Sequence, residues 1–176
     1  VKEQGLEDQI SLSLCDYRKL KGSFDKIVSV EMLEAVGHEY YPGFFKTIER
    51  LLNPGGRAVI QTITIPDERY EKYLQGCDWI QKYIFPGGHL PCEKILDDVI
   101  TKHTAMRIDA IDSIGPHYAT TLQAWKELFE ERREDVKALG FDEHFMRTWH
   151  YYFAYCEAGF RKGAIDDIQF VVVKDV

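Results

Sequence analysis

The sequence predicts an α/β fold, a sheet with crossover helices, and three observations carry that reading. A β-branched run, FDKIVSVEML, is followed by a segment of helical period and a second β-branched run, RAVIQTITI. Two long amphipathic stretches, about 120 to 139 and 142 to 161, fill the last third. The chain then closes on IQFVVVKD, an apolar segment of strand length. At 176 residues, one domain spanning 1–176 is expected.

The elements follow in order. In ISLSLCD, residues 10–16, Ile10, Leu12 and Leu14 alternate with Ser11, Ser13 and Cys15, the period of a strand. Ile27, Val28 and Val30 predict a second, buried strand. Phe44, Phe45, Ile48, Leu51 and Leu52 recur at helical spacing across 40–52. Asn53-Pro54-Gly55-Gly56 ends that helix and turns the chain into a strand at 57–65. DERYEKYLQGCDWIQKYIF reads as helix in pieces, and Pro86-Gly87-Gly88 as a loop. PCEKILDDVITKHT reads as a helix with Pro91 near its start. Residues 106–115 alternate as a strand. Leu122, Trp125, Leu128 and Phe129 share one face of the helix at 120–139, with Gly140 at its end. Phe145, Trp149, Tyr152, Phe153, Cys156 and Phe160 mark the next.

Composition removes several classes of function. Lys plus Arg is 22 and Asp plus Glu is 29, so the net charge of −7 argues against nucleic acid as a partner. It also gives no attraction to an anionic membrane. Cys15, Cys77, Cys92 and Cys156 are scattered without a CxxC pair, as in the reduced thiols of a cytoplasmic protein. His89 and Cys92 in HLPC lack a second ligand pair, so no metal is expected. No apolar run reaches the roughly 18–20 residues that span a bilayer. The opening VKEQGLEDQI has no apolar stretch of the signal-peptide kind. The expected location is cytoplasmic, with transient contact at the inner membrane face through apolar groups.

Five blocks occur in order: FDKIVSVEMLEAVGHEYY, LLNPGGRAVIQTITI, DWIQKYIFPGGHLP, IGPHYATTLQAW and FMRTWHYYFAYCEAGFR. Over about residues 14 to 174 the chain closely resembles the catalytic domain of the cyclopropane-fatty-acyl-phospholipid synthase family. YIFPGG and YxTTLxAW are the specific motifs; NPGG alone would be weak. The resemblance implies a Rossmann-like S-adenosylmethionine-dependent methyltransferase fold, with helical insertions at about 66–105 and 116–163 forming a lid or acyl site. It further implies transfer of a methyl or methylene group to the cis double bond of an unsaturated phospholipid acyl chain. A bicarbonate ion held in a small polar pocket is implied as the general base.

The resemblance also assigns residues. Glu34 matches the glutamate that contacts the bicarbonate, and it follows a strand at the edge where open α/β sheets bind ligands. As a bare residue it reads equally as a carboxylate at a helix start. Tyr118 matches the tyrosine whose hydroxyl donates to that ion; alone it is an ordinary half-buried tyrosine. Gln61 stands where the family has histidine, so it can donate but cannot titrate. Ile63 would contribute its backbone N–H. Asp16 and Tyr17 match the segment that holds the adenine ring, one as acceptor and one as an aromatic face. Ala35 replaces a second family histidine, and His38 three residues on is a partial substitute. Thr120 or Thr121 is placed to cap the following helix. Trp149, Tyr151, Tyr152, Phe153, Tyr155 and Phe160 read either as a core face or as the wall of an acyl tunnel.

No GxGxG turn of the kind that lets backbone approach the methionyl group is present, and the chain does not begin with Met. The fold is therefore expected to be truncated at its N-terminus, lacking two central strands, and alone to be inactive. The strand at 24–30 would then offer an open edge suited to homodimer pairing. Two other functions stay in view: methyl transfer to a small amine or other non-lipid acceptor, and a non-catalytic fragment that dimerises.

Overall fold

Parallel pairing between Phe24–Val30 and Leu52–Thr64 sets the frame. In the computed structural model, which describes residues 1–175, these segments are β1 and β2, joined through helix α1, Tyr41–Leu51. β2 pairs antiparallel with β4, Asp166–Lys174, and β4 pairs antiparallel with β3, Met106–Ser113. The sheet order is β1-β2-β4-β3. The other helices are α2 (Asp67–Leu74), α3 (Trp79–Tyr83), α4 (Glu93–His103), α5 (Gly115–Glu131), α6 (Arg133–Ala138) and α7 (Glu143–Arg161). A parallel crossover pair followed by antiparallel final strands is the Rossmann-like arrangement expected.

Alternation along β2 explains the main core. Ala58 and Ile60 are fully buried, as are Ile168, Phe170 and Val172 on β4. They meet Phe44, Phe45 and Ile48 of α1 and Leu96 and Ile100 of α4. Each large apolar side chain gains roughly 1.5–3 kcal/mol on burial. That exceeds the ~0.5–1 kcal/mol of rotamer entropy an Ile or Leu loses, so the layer is held by its apolar face. A second cluster, Ala119, Leu122, Phe153 and Phe160, joins α5 to α7. A third, Ile65, Tyr70 and Cys92, closes the far end of β2.

Several local expectations are corrected. Residues 10–16 form no strand: Leu12 and Leu14 are 80% and 107% exposed. Alternation supplies a face but no partner for the ladder, and an unpaired strand is not stable. Val28 and Val30 are exposed rather than buried, because β1 is an edge strand and only its Ile27 side packs on the core. Asn53-Pro54-Gly55-Gly56 lies within β2 instead of preceding it. Phe24 pairs with Leu52 and Lys26 with Arg57, so the tetrapeptide loops out between two paired positions. Thr120 and Thr121 are interior to α5 and cap nothing. The helix expected at 120–139 starts at Gly115 and breaks at Arg132.

Gly115 starts α5 for a steric reason. A Cβ there would lie 2.2 Å from Asp166 Oδ1 and 3.2 Å from the Asp167 nitrogen. Its own N–H donates to Asp166 Oδ1 at 3.0 Å. Only glycine allows this approach. The contact docks the first turn of α5, with Tyr118, against the start of β4.

Candidate functional site: a carboxyl cluster at the sheet edge

Five elements converge at the carboxyl ends of the parallel strands, where open α/β sheets bind ligands. Glu31 follows β1 directly, and Glu34 sits in the short 3-10 turn Leu33–Ala35. Gln61, Thr62 and Ile63 lie at the end of β2, and Asp167 at the start of β4 opposite Ile63. Tyr118 comes from the first turns of α5.

Gln61 is the hub. Its Nε2 donates to Glu31 Oε1 at 2.9 Å and to Asp167 Oδ2 at 3.0 Å. Its Oε1 accepts from Gln169 Nε2 at 2.9 Å. Both amide hydrogens therefore go to carboxyl groups, and the amide orientation is set by all three bonds. Glu34 Oε1 accepts from Thr62 Oγ1 at 2.6 Å and from the Ile63 N–H at 2.5 Å. Glu34 Oε2 and Asp167 Oδ1 are buried without a hydrogen-bond partner.

This placement moves protons. Asp167 is fully buried, and desolvation, followed by the Glu31, Glu34 and Asp166 carboxylates, pushes its pKa up to about 7. Burial and then Glu34 also raise Glu31. The Gln61 amide, which donates to both, holds the Glu31 and Asp167 carboxyls side by side. Two carboxyls held this close disfavour a double negative charge, and burial pushes both towards the protonated form. Burial, with Glu31 and Asp167 nearby, lifts Tyr118 to about 12, so its phenol is neutral and can donate. Burial likewise raises Tyr152 and pushes the Cys156 thiol to about 12.

An aromatic wall borders the cluster. The Tyr118 ring lies 5.1 Å from Phe160 and 6.0 Å from Trp125; Tyr152 lies 5.2 Å from Trp149 and 6.3 Å from Phe85. Helix α7 has two faces: Phe153 and Phe160 are core, while Tyr151 and Tyr155 are exposed. The Pro86-Gly87-Gly88 loop is tied to the site, since the His89 N–H donates to the Glu34 carbonyl at 2.8 Å.

Glu34, Gln61, Ile63 and Tyr118 are thus brought together as the sequence suggests. Asp16 and Tyr17 stand apart from these hydrogen bonds. Asp16 caps its own 3-10 turn and is gripped by the Arg18 guanidinium at 2.6 Å, which holds its pKa down to about 2. Tyr17 packs on Phe44 at 5.7 Å. His38 hydrogen-bonds Tyr70 (Nδ1 to Oη, 2.6 Å) rather than the carboxyl cluster. Glu31 and Asp167 are members of the cluster that sequence reasoning does not single out. The available signal is an acidic residue directly after one strand and another at the start of a second. His89 is ringed by Tyr41, Tyr70 and Tyr73, and burial and His38 lower its pKa.

With this geometry in place, comparison with known proteins identifies its family. The mycolic acid cyclopropane synthetase family matches residues 1–170. The chain is 45% identical over 175 residues to the tuberculostearic acid methyltransferase UfaA1 of Mycobacterium tuberculosis, covering 99% of this chain and 41% of that protein. It is 35% identical over 173 residues to the cyclopropane-fatty-acyl-phospholipid synthase of Escherichia coli, covering 98% and 43%. A crystal structure of the mycolic acid cyclopropane synthase CmaA1, complexed with SAH and CTAB, superposes with a TM-score of 0.83 at 28% identity, covering 98% of this chain and 65% of that one. The chain belongs to the mycolic acid cyclopropane synthetase family. It spans about two fifths of the length of these curated relatives.

Proposed function

We propose that the chain is part of an S-adenosylmethionine-dependent methyltransferase that modifies the cis double bond of an unsaturated phospholipid acyl chain. The observation that carries this reading is the meeting of Glu31, Glu34, Gln61, Asp167 and Tyr118 beside an aromatic wall, in a chain of this family. S-adenosylmethionine, when bound, supplies an electrophilic methyl group. The chain's own residues handle the charge and the proton that methyl addition generates. Addition to an alkene leaves positive charge on the acyl chain, and the faces of Tyr118, Tyr152 and Phe85 together with the carboxylates favour it.

For the cofactor, the donor set near Asp16 fits. Its ionised carboxylate is an acceptor, and the exposed Arg18 partner is of the weak, screened kind that a ligand can displace. Tyr17 offers a half-buried aromatic face. Bicarbonate does not fit the residues as they stand. Gln61 has given both N–H groups to carboxyls and Ile63 has given its N–H to Glu34, leaving Tyr118 as donor among three acidic groups.

The acidic and aromatic lining also suits a cationic amine, so methyl transfer to a small amine is the second reading. Contact with a membrane would rest on exposed apolar groups such as Tyr83 and Phe85, given a net charge of −7. The exposed β1 edge suits homodimer pairing.

The test supplies the protein with methyl-labelled S-adenosylmethionine, dioleoyl phosphatidylglycerol vesicles and a small amine together. Mass spectrometry is expected to find the acyl chain heavier by one labelled CH2 unit. Label in the amine alone would sink the lipid reading.

A further inference from the structure

The poor fit of an anion raises a chemical question: where the proton goes. Methyl addition followed by ring closure or alkene formation releases one proton, and some group must take it. Three features mark the Glu31 side of the site as that group.

First, Glu31 is held where its backbone resists being held. Its φ is +50, and among the described residues it is the only non-glycine with positive φ. Such conformations cost on the order of 1–3 kcal/mol and persist where the surroundings impose them. Here the Gln61 amide, itself anchored by Gln169, fixes the carboxylate at 2.9 Å. Second, Asp167 is completely buried, shares Gln61 with Glu31, and has one oxygen with no partner. Third, the donors that a small anion would need have already been given to carboxylates.

We infer that Glu31 is the proton acceptor of the reaction, with Asp167 and Gln61 as positioning residues, so that the chain's own carboxyl pair replaces an exogenous anion. The inference rests on the methyl-transfer reading above. In the step, the S–CH3 bond breaks and a C–CH3 bond forms on one alkene carbon, leaving the neighbouring carbon cationic. A C–H bond then breaks. Its electron pair closes the cyclopropane or forms a new C=C bond, and its proton goes to Glu31 Oε. The proton later leaves to water, so acceptor and methyl donor balance.

The carboxyl pair is faced by Glu34 from its own turn, Asp166 from β4, Tyr118 from α5 and Tyr152 from α7, with Cys156 behind the two tyrosines. The two tyrosines and the thiol stay neutral across the useful pH range, because burial lifts each of them. Glu34 and Asp166 are the remaining charges that tune it.

Two measurements test this. Carbon-13 NMR of labelled Asp and Glu carboxyls in the protein should show one group titrating near neutral pH, lost in Asp167→Asn and shifted down in Glu31→Gln. A spectrum with every carboxyl in the ordinary range, or a neutral titration indifferent to both variants, overturns the pairing. Methyl transfer to dioleoyl phosphatidylglycerol should proceed equally with and without dissolved bicarbonate, and fall by about 10²–10⁴-fold in Glu31→Gln. S-adenosylmethionine binding by calorimetry should be unchanged in that variant. Undiminished transfer in Glu31→Gln, or a rate that collapses without bicarbonate, overturns the assignment while leaving the methyl-transfer reading standing. Failure of the unaltered protein to label any acyl chain is instead a failure of that reading.

Discussion

A Cβ built on Gly115 would stand 2.2 Å from the Asp166 carboxylate oxygen. That contact decides where α5 begins and hence where Tyr118 sits. Gly115→Ala must swing the Asp166 carboxylate aside and press the helix start against the Asp167 backbone nitrogen, 3.2 Å from the added Cβ. Overpacking of this kind costs typically 1–3 kcal/mol. Calorimetry should show a lowered Tm, and the Tyr118 environment, read by near-ultraviolet circular dichroism, should change with it.

Thr62 makes a second specific prediction. It is fully buried and donates to Glu34 at 2.6 Å. Thr62→Val keeps the shape and removes the donor, leaving Glu34 with the Ile63 N–H alone. The expected loss is about 1–3 kcal/mol, because a buried carboxyl group loses a hydrogen-bond partner. Urea denaturation should show a lower midpoint with an unchanged slope.

Asp167 predicts a pH dependence of definite sign. Its folded pKa, about 7, lies above its ordinary value of 3.8, so the folded state holds the proton more tightly than the unfolded chain. Its stabilising contribution is therefore full below about pH 4 and is lost as pH rises towards 7. Asp167→Asn removes this loss. Relative to the unaltered protein it should gain stability between pH 5 and pH 8, on the order of 3 kcal/mol at the upper end. Denaturation midpoints at the two pH values check it, and an equal offset at both would contradict it.

The β1 edge predicts an association behaviour. Val28 and Val30 are 70% and 56% exposed beside unpaired backbone groups. Val28→Lys places charge on the edge and should weaken any pairing between chains. Sedimentation velocity across a concentration series should give a smaller weight-average mass for the variant. Identical profiles would place any association elsewhere.

How far the sequence reached depended on whether a residue's partners were local. RAVIQTITI and IQFVVVKD announced strands because β-branched, apolar composition is a local signal. The family resemblance groups Glu34, Gln61, Ile63 and Tyr118, and the fold places these four near one another. Glu31 and Asp167 lie 136 positions apart and meet only because β1 and β4 flank β2; no local pattern states that. The same limit explains residues 10–16. Leu12 and Leu14 alternate as a strand would, yet a strand is defined by its neighbour, and none lies beside them in the sheet. Arg132 breaks the long helix for a reason that apolar periodicity does not register.

The left-handed backbone at Glu31 sets stability against chemistry. Glycine at that position would relax the backbone, since it adopts positive φ without steric cost. It would also lift one carboxylate away from two others. Replacement by glycine would relieve that strain but leave a Gln61 N–H without its acceptor, and it would remove the proposed proton acceptor. A screen for thermal tolerance would therefore weigh this position by backbone strain against one hydrogen bond, whereas a screen for product would weigh it by the carboxylate alone.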